Sequence, residues 1–174
     1  MPKKEKVLTE ELIIEEIKEF CRQRKTLIIA TQSPSEAEPS QPLASYAPFI
    51  QDDPGNFYLF LSGLANHSQN LKSHQSEKSR LSVLLIEDEK TSRNLFARKR
   101  LNYSCTVSVW PREHPQWQNR VDQFQERFGK TIKVLSSLGD FSLYRLTPIE
   151  GHYVRGFGQA YELRDGKFPV LRTR

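Results

Sequence analysis

Three groupings of side chains have the types and spacing to hold a ligand. The run Ser62-Gly63-Leu64-Ala65-Asn66-His67-Ser68-Gln69-Asn70-Leu71 crowds hydroxyls, amides and an imidazole into a strand-to-helix junction. Free backbone N–H groups at such a junction, beside Ser62, His67 and Asn70, form a physically sensible anion cradle. The same residues also read as a capped surface helix with a solvated histidine. The second grouping, Arg98-Lys99-Arg100, falls inside the β-rich run 95–110. Strand alternation would put Arg98 and Arg100 on one face, where two guanidinium groups suit a phosphate or a propionate. A solvated strand face is the plain alternative. The third is Asp140 with the later segment that carries His152. A carboxylate at a strand start can orient an imidazole, and it can equally cap a turn.

No reactive group announces itself beyond these. The chain has no Gly-x-Gly-x-x-Gly after a first strand, no Walker A loop, no His-Glu-x-x-His and no Gly-x-Ser-x-Gly. Four histidines leave Ser-His-Asp chemistry open, but nothing marks a nucleophile. Any chemistry is therefore expected from a cofactor. The two cysteines, Cys21 and Cys105, stand far apart and outside any Cys-x-x-Cys pattern, so packed thiols are expected rather than a disulfide or a zinc site. A net charge of +5 favours an anionic partner, a phosphate, a carboxylate-bearing cofactor or a nucleic acid, and its modest, spread excess is only weak evidence for the last, so nucleic acid is not expected. No apolar run approaches the roughly 18–20 residues that span a bilayer. The N-terminal Met1-Pro2-Lys3-Lys4-Glu5-Lys6 leads into acidic sequence rather than an apolar signal core, so a cytoplasmic protein is expected.

The elements that must position these groups are short. Residues 9–24 read as a helix, with Thr9 as N-cap, Glu10 and Glu11 in the first turn, and an apolar face of Leu12, Ile13, Ile17, Phe20 and Cys21. Strands are expected at 26–31, 43–50, 57–61 and 80–87. A long bent strand at 95–110 and closing strands at 140–146 and 152–163 complete the set. The turn Asp52-Asp53-Pro54-Gly55-Asn56 makes a hairpin of the second and third strands. Residues 33–42 read as a loop, and Gly156 and Gly158 permit a bend or bulge in the last strand. Residues 65–73 read as a short helix. Trp117, Val121, Phe124 and Phe128 form one helical stripe, and a further short helix is expected at 132–138. The strands do not alternate with long helices, which excludes a doubly wound parallel sheet. A mainly β, α+β domain is expected, a small antiparallel barrel with helical cover.

Read in order, RQRKTLIIAT, SYAPFI, NHSQNL, LSVLLIED, LFARKRL, FGKTIKVLSSLGDFSLYRL and GHYVRGFGQAY resemble the haem-utilisation proteins of the HugZ/HutZ type. These belong to the split-barrel superfamily of pyridoxamine 5′-phosphate oxidase and its FMN-binding relatives. The resemblance runs from about residue 16 to about residue 162, and LFARKRL and VRGFGQAY are its most specific parts. It implies a six-stranded antiparallel split β-barrel of the FMN-binding type. The chain then divides into an N-terminal helix (1–24), a barrel with helical insertions (25–163) and a tail (164–174), all one domain. It also implies a homodimer with the ligand site at the subunit interface.

The resemblance further implies haem or FMN as ligand. Flavin-binding relatives place a lysine just before the Asn-Leu pair of the short helix. Here His67 occupies that neighbourhood, as in the haem subgroup. By the same resemblance Asp140 matches a carboxylate that orients an iron-binding histidine near the C-terminus. After Tyr161 the sequence reads ELRDGKFPVLRTR without a histidine, so His67 and His152 are the candidate iron ligands. Ser62, His67, Asn70, Arg98 and Arg100 are the candidate cofactor-binding residues. The leading expectation is haem binding in iron utilisation, extending to oxidative haem degradation. The alternatives are an FMN-dependent oxidoreductase and a non-enzymatic ligand-binding module.

Overall fold

The computed structural model describes residues 9–34, 40–74, 79–164 and 172–173. Part of the 33–42 loop and most of the expected tail lie outside the described residues. Helix α1 (Glu10–Arg22) starts where Thr9 Oγ1 accepts the Leu12 N–H at 3.4 Å, an N-cap that satisfies one otherwise orphaned donor. Its stripe of Ile13, Ile17, Phe20 and Cys21 packs into the barrel core. Leu12, expected on that face, is 51% exposed, because it precedes the stripe by one position and so points about 100° away.

Strands β1 (Thr26–Gln32), β2 (Pro42–Gln51) and β3 (Phe57–Ser62) form an antiparallel meander. Then come α2 (Asn66–Ser73), β4 (Leu81–Ile86), β5 (Arg100–Trp110), α3 (Trp117–Phe128) and α4 (Thr131–Ser137). Strands β6 (Phe141–Gly156), β7 (Gln159–Arg164) and the two-residue β8 (Arg172–Thr173) end the order. The sheet runs β3-β2-β1-β4-β5-β6-β7-β8, and β6 also pairs with β3. That extra pairing closes a six-stranded antiparallel barrel, as expected.

The alternation within strands sets the core. Leu27 and Ile29 of β1, Leu81, Val83 and Leu85 of β4, and Leu101, Tyr103 and Cys105 of β5 all point inward. In β3 both faces are buried. Phe57, Leu59 and Leu61 fill the barrel, while Tyr58 and Phe60 lie under α3 and α4 with Trp117, Val121, Phe124 and Ile132. A strand covered on both faces reads as a continuous apolar run, which is why FYLFL shows no alternation. Cys21 and Cys105 are buried free thiols, as expected.

Two expected elements differ. The run 95–110 is not one strand. Leu95–Ala97 makes a single 3₁₀ turn, opened by Asn94 Oδ1 accepting the Phe96 N–H at 2.9 Å, and β5 begins only at Arg100. Conversely, the expected strands 140–146 and 152–163 are divided elsewhere. β6 is continuous from Phe141 to Gly156, and a tight turn at Gly156–Gln159 leads into β7. Its first half pairs with β3 and its second half with β7, while β5 accompanies both. The register shifts opposite Ser104/Cys105, where Cys105 pairs with Pro148 and Ser104 with Glu150. A bulge there absorbs a proline that cannot donate to the ladder, and it bends the strand from barrel wall to outer sheet.

Candidate functional site

The end of β3, the start of α2 and the start of β6 meet at one place. The register sets Ser62 opposite Phe141, so Asp140 lies one residue beyond the paired segment. Ser62 Oγ donates to Asp140 Oδ2 at 2.5 Å and accepts the Leu64 N–H at 3.2 Å. The Gly63 N–H donates to the Asp140 carbonyl at 2.7 Å. A Cβ on residue 63 would stand 3.0 Å from that carbonyl oxygen and 3.5 Å from Lys72 Nζ, so glycine permits the close approach. Lys72 thus reaches back over the junction from the last turn of α2. Sequence reading passed over this residue. Its signal was the helical spacing that returns position 72 toward the first turn.

His67 sits in the first turn of α2, half-buried. Burial alone holds its imidazole below the usual histidine pKa, so it is neutral at pH 7. The four histidines separate clearly. His74 Nδ1 lies 2.7 Å from the Asn70 carbonyl oxygen, and His114 stacks on Trp110 at 3.7 Å while accepting the Gln116 N–H. His67 and His152 make no hydrogen bond to any described residue. Asn70 is turned the other way. It is 5% exposed, and its amide donates to Thr31 Oγ1 at 2.9 Å, locking α2 onto β1.

The other expected residues are placed differently from the sequence reading. Arg98 precedes β5, so strand alternation does not apply to it and it shares no strand face with Arg100. Its Nε donates to the Glu87 carbonyl at 2.6 Å and its Nη1 to Glu89 Oε1 at 3.0 Å, and its side chain is 18% exposed. Arg100 opens β5 and donates from Nη1 to the Arg98 carbonyl at 3.0 Å, which leaves the rest of its guanidinium available. Lys99 pairs with Glu16 at 3.1 Å, tying the motif to α1. His152 is exposed on β6, opposite Asn102 of β5 and Glu162 of β7. It lies twelve residues along β6 from Asp140, roughly 40 Å of strand contour, so the two do not meet within one chain.

A family model for pyridoxamine 5′-phosphate oxidase matches residues 13–155. Haem oxygenase HutZ of Vibrio cholerae is 43% identical over 148 residues, 85% of this chain and 79% of that protein. The chain is a HutZ-type member of the pyridoxamine 5′-phosphate oxidase family. A crystal structure of Vibrio cholerae HutZ, described as a haem storage protein, superposes with a TM-score of 0.66 at 40% identity. That match covers 77% of this chain and 88% of the other. Campylobacter jejuni ChuZ superposes with a TM-score of 0.81 at 26% identity, covering 99% of this chain and 65% of its own.

Proposed function

We propose that this HutZ-type protein binds haem and acts in haem utilisation, with oxidative haem degradation as its activity. The observation that carries the reading is His67, a half-buried imidazole kept neutral and without a hydrogen-bond partner among the described residues, in the first turn of the helix that follows Ser62. A neutral imidazole with a free ring nitrogen suits an iron far better than it suits a phosphate dianion. Vibrio cholerae HutZ, named a haem oxygenase and a haem storage protein, supports the same ligand.

Haem, when bound, supplies an iron able to activate dioxygen. The chain supplies the rest. His67 offers a nitrogen lone pair. Asp140 is steadied through Oδ2 by Ser62, leaving Oδ1 to accept a hydrogen bond from a ligand, a water or an imidazole. Arg100 offers guanidinium N–H groups to a propionate, while Arg98 shapes the loop before β5 rather than meeting the ligand.

Leu64 and Leu138 are 82% and 42% exposed and flank Ser62 and Asp140. Apolar surface beside a site is expensive to leave in water, which supports a homodimer with the site at its interface. Among the described residues no helix is long and apolar enough to cross a membrane.

An absorbance titration of cofactor-free protein with ferric haem tests the reading, with FMN titrated in parallel. A saturable, sharpened Soret band, weakened in His67→Ala, is the expected result. Saturable FMN binding with no haem response would transfer the site to the flavin chemistry of the wider family.

A further inference from the structure

The outer face of β3 carries a cleft at the end of the strand away from Ser62. Tyr58 and Ser62 are on one face but about 13 Å apart along it. The cleft is about 760 Å³, within the range of small-molecule sites. Its floor is Ile50, Tyr58, Trp110 and Arg145, one wall is the polar face of α3, and the other is the Asp52–Asn56 turn.

Cations outnumber anions there. Arg120, Arg127 and Arg145 line the cleft against Asp52 and Asp53. Asp52 is already committed. It accepts from Tyr58 Oη at 2.9 Å and from Asn56, and it lies 3.6 Å from Arg120. Arg127 Nη2 is spent on the Arg22 and Arg24 carbonyls at the end of α1. Arg145 makes no ion pair or hydrogen bond with any described residue, and its Nε is shielded from solvent. The Nε of Arg120 is likewise shielded and unpartnered. Arg120 lies over the Tyr58 ring at 4.2 Å and donates from Nη2 to the Tyr58 hydroxyl at 3.3 Å.

A partly buried guanidinium without an acceptor is costly, and Arg145 lines the cleft in that state. We infer that this cleft is an anion site, in which Arg145 and Arg120 bind a compact oxyanion, a phosphate or carboxylate group of a small polar molecule. The polar α3 wall, with Gln116, Asn119 and Gln123, suits such a ligand and not a macrocycle.

The test is calorimetric titration of the full, haem-free chain with inorganic phosphate and, separately, citrate, against sodium chloride at matched ionic strength. Trp110, one of two tryptophans, provides a fluorescence readout in the cleft. Saturable binding is expected, weakened at least about tenfold in Arg145→Met. Gln123→Glu keeps an acceptor for Arg120, whose Nη1 donates to Gln123 at 2.8 Å, but adds a built-in anion. It should abolish binding without lowering the melting temperature. Tighter binding of phosphate or of citrate tells which oxyanion class the cleft prefers, and either upholds the site. Heats no larger than those of chloride, or equal binding by wild type and both variants, would overturn it. Haem binding is read separately by its Soret band, so failure here leaves the haem reading standing.

Discussion

Ser62 and Asp140 are seventy-eight residues apart in sequence and 2.5 Å apart through Oγ and Oδ2. The pairing of β3 with β6 brings them together, so this hydrogen bond reports barrel closure as much as site geometry. Hydrogen bonds to a charged group contribute about 1.5–3 kcal/mol. Ser62→Ala is expected to destabilise the protein by about 1–2 kcal/mol, read as a shift in the denaturation midpoint. Asp140→Asn keeps the shape and should cost less stability than Asp140→Ala. If Asp140 orients a ligand of bound haem, both substitutions should also alter the haem spectrum.

Gly151 faces Tyr103 across the β5–β6 ladder. A Cβ at 151 would fall 2.4 Å from the Asn102 carbonyl oxygen and 2.5 Å from the Tyr103 ring. Backbone and a buried ring cannot both yield, so Gly151→Ala should cost about 1–3 kcal/mol or more by overpacking. Thermal unfolding checks this, and an unchanged melting temperature would contradict the register described.

Glu16 joins α1 to the outer sheet. It accepts from Tyr153 Oη at 2.7 Å and Arg155 Nε at 2.8 Å, and it pairs with Lys99 at 3.1 Å. Burial pushes its carboxyl pKa up, but the hydrogen bonds from Tyr153, Arg155 and Lys99 outweigh burial and leave it below the ordinary 4.5. The stabilisation is therefore fully present above about pH 4.5 and is lost as pH falls through the lower folded-state pKa. Glu16→Gln should flatten the acid limb of the stability–pH curve and cost about 1 kcal/mol at neutral pH, held down by solvent screening.

His67 has the opposite chemistry and the same direction of pH response. Burial lowers its pKa below 6.5, so the unfolded chain takes up the proton first and stability falls as pH drops from about 6.5 through the folded value. If His67 holds the iron, as proposed, coordination requires the neutral ring and haem affinity should decline over the same window. His67→Ala should remove that pH dependence, as a Soret titration from pH 7.5 to about pH 5 would read.

Phe60 touches the rings of Trp117, Phe124 and Phe141, at 6.3, 6.0 and 5.1 Å between centroids. Phe60→Ala is expected to cost about 3–5 kcal/mol and to loosen α3 and α4 from the sheet, measurable by denaturation and by hydrogen exchange in α3.

The sequence by itself determined the element types and much of the core. Thr9 capping α1, the Trp117-Val121-Phe124 stripe and the Asp52–Asn56 hairpin turn are all local patterns, and local patterns survive into the fold because they arise from backbone period and side-chain chemistry within a few residues. The segments that revealed the family were legible for the same reason. Tertiary structure decided what depends on pairing between distant segments. It joined two expected strands into β6 through the bulge at Pro148, set Asp140 on Ser62 rather than near His152, and took Arg98 off the strand to bind Glu87 and Glu89. It also left Arg145 without a partner among the described residues, which no spacing in the sequence marks. Register and bulges follow from which partner strand lies alongside, and a one-residue change in register moves every side chain to the other face.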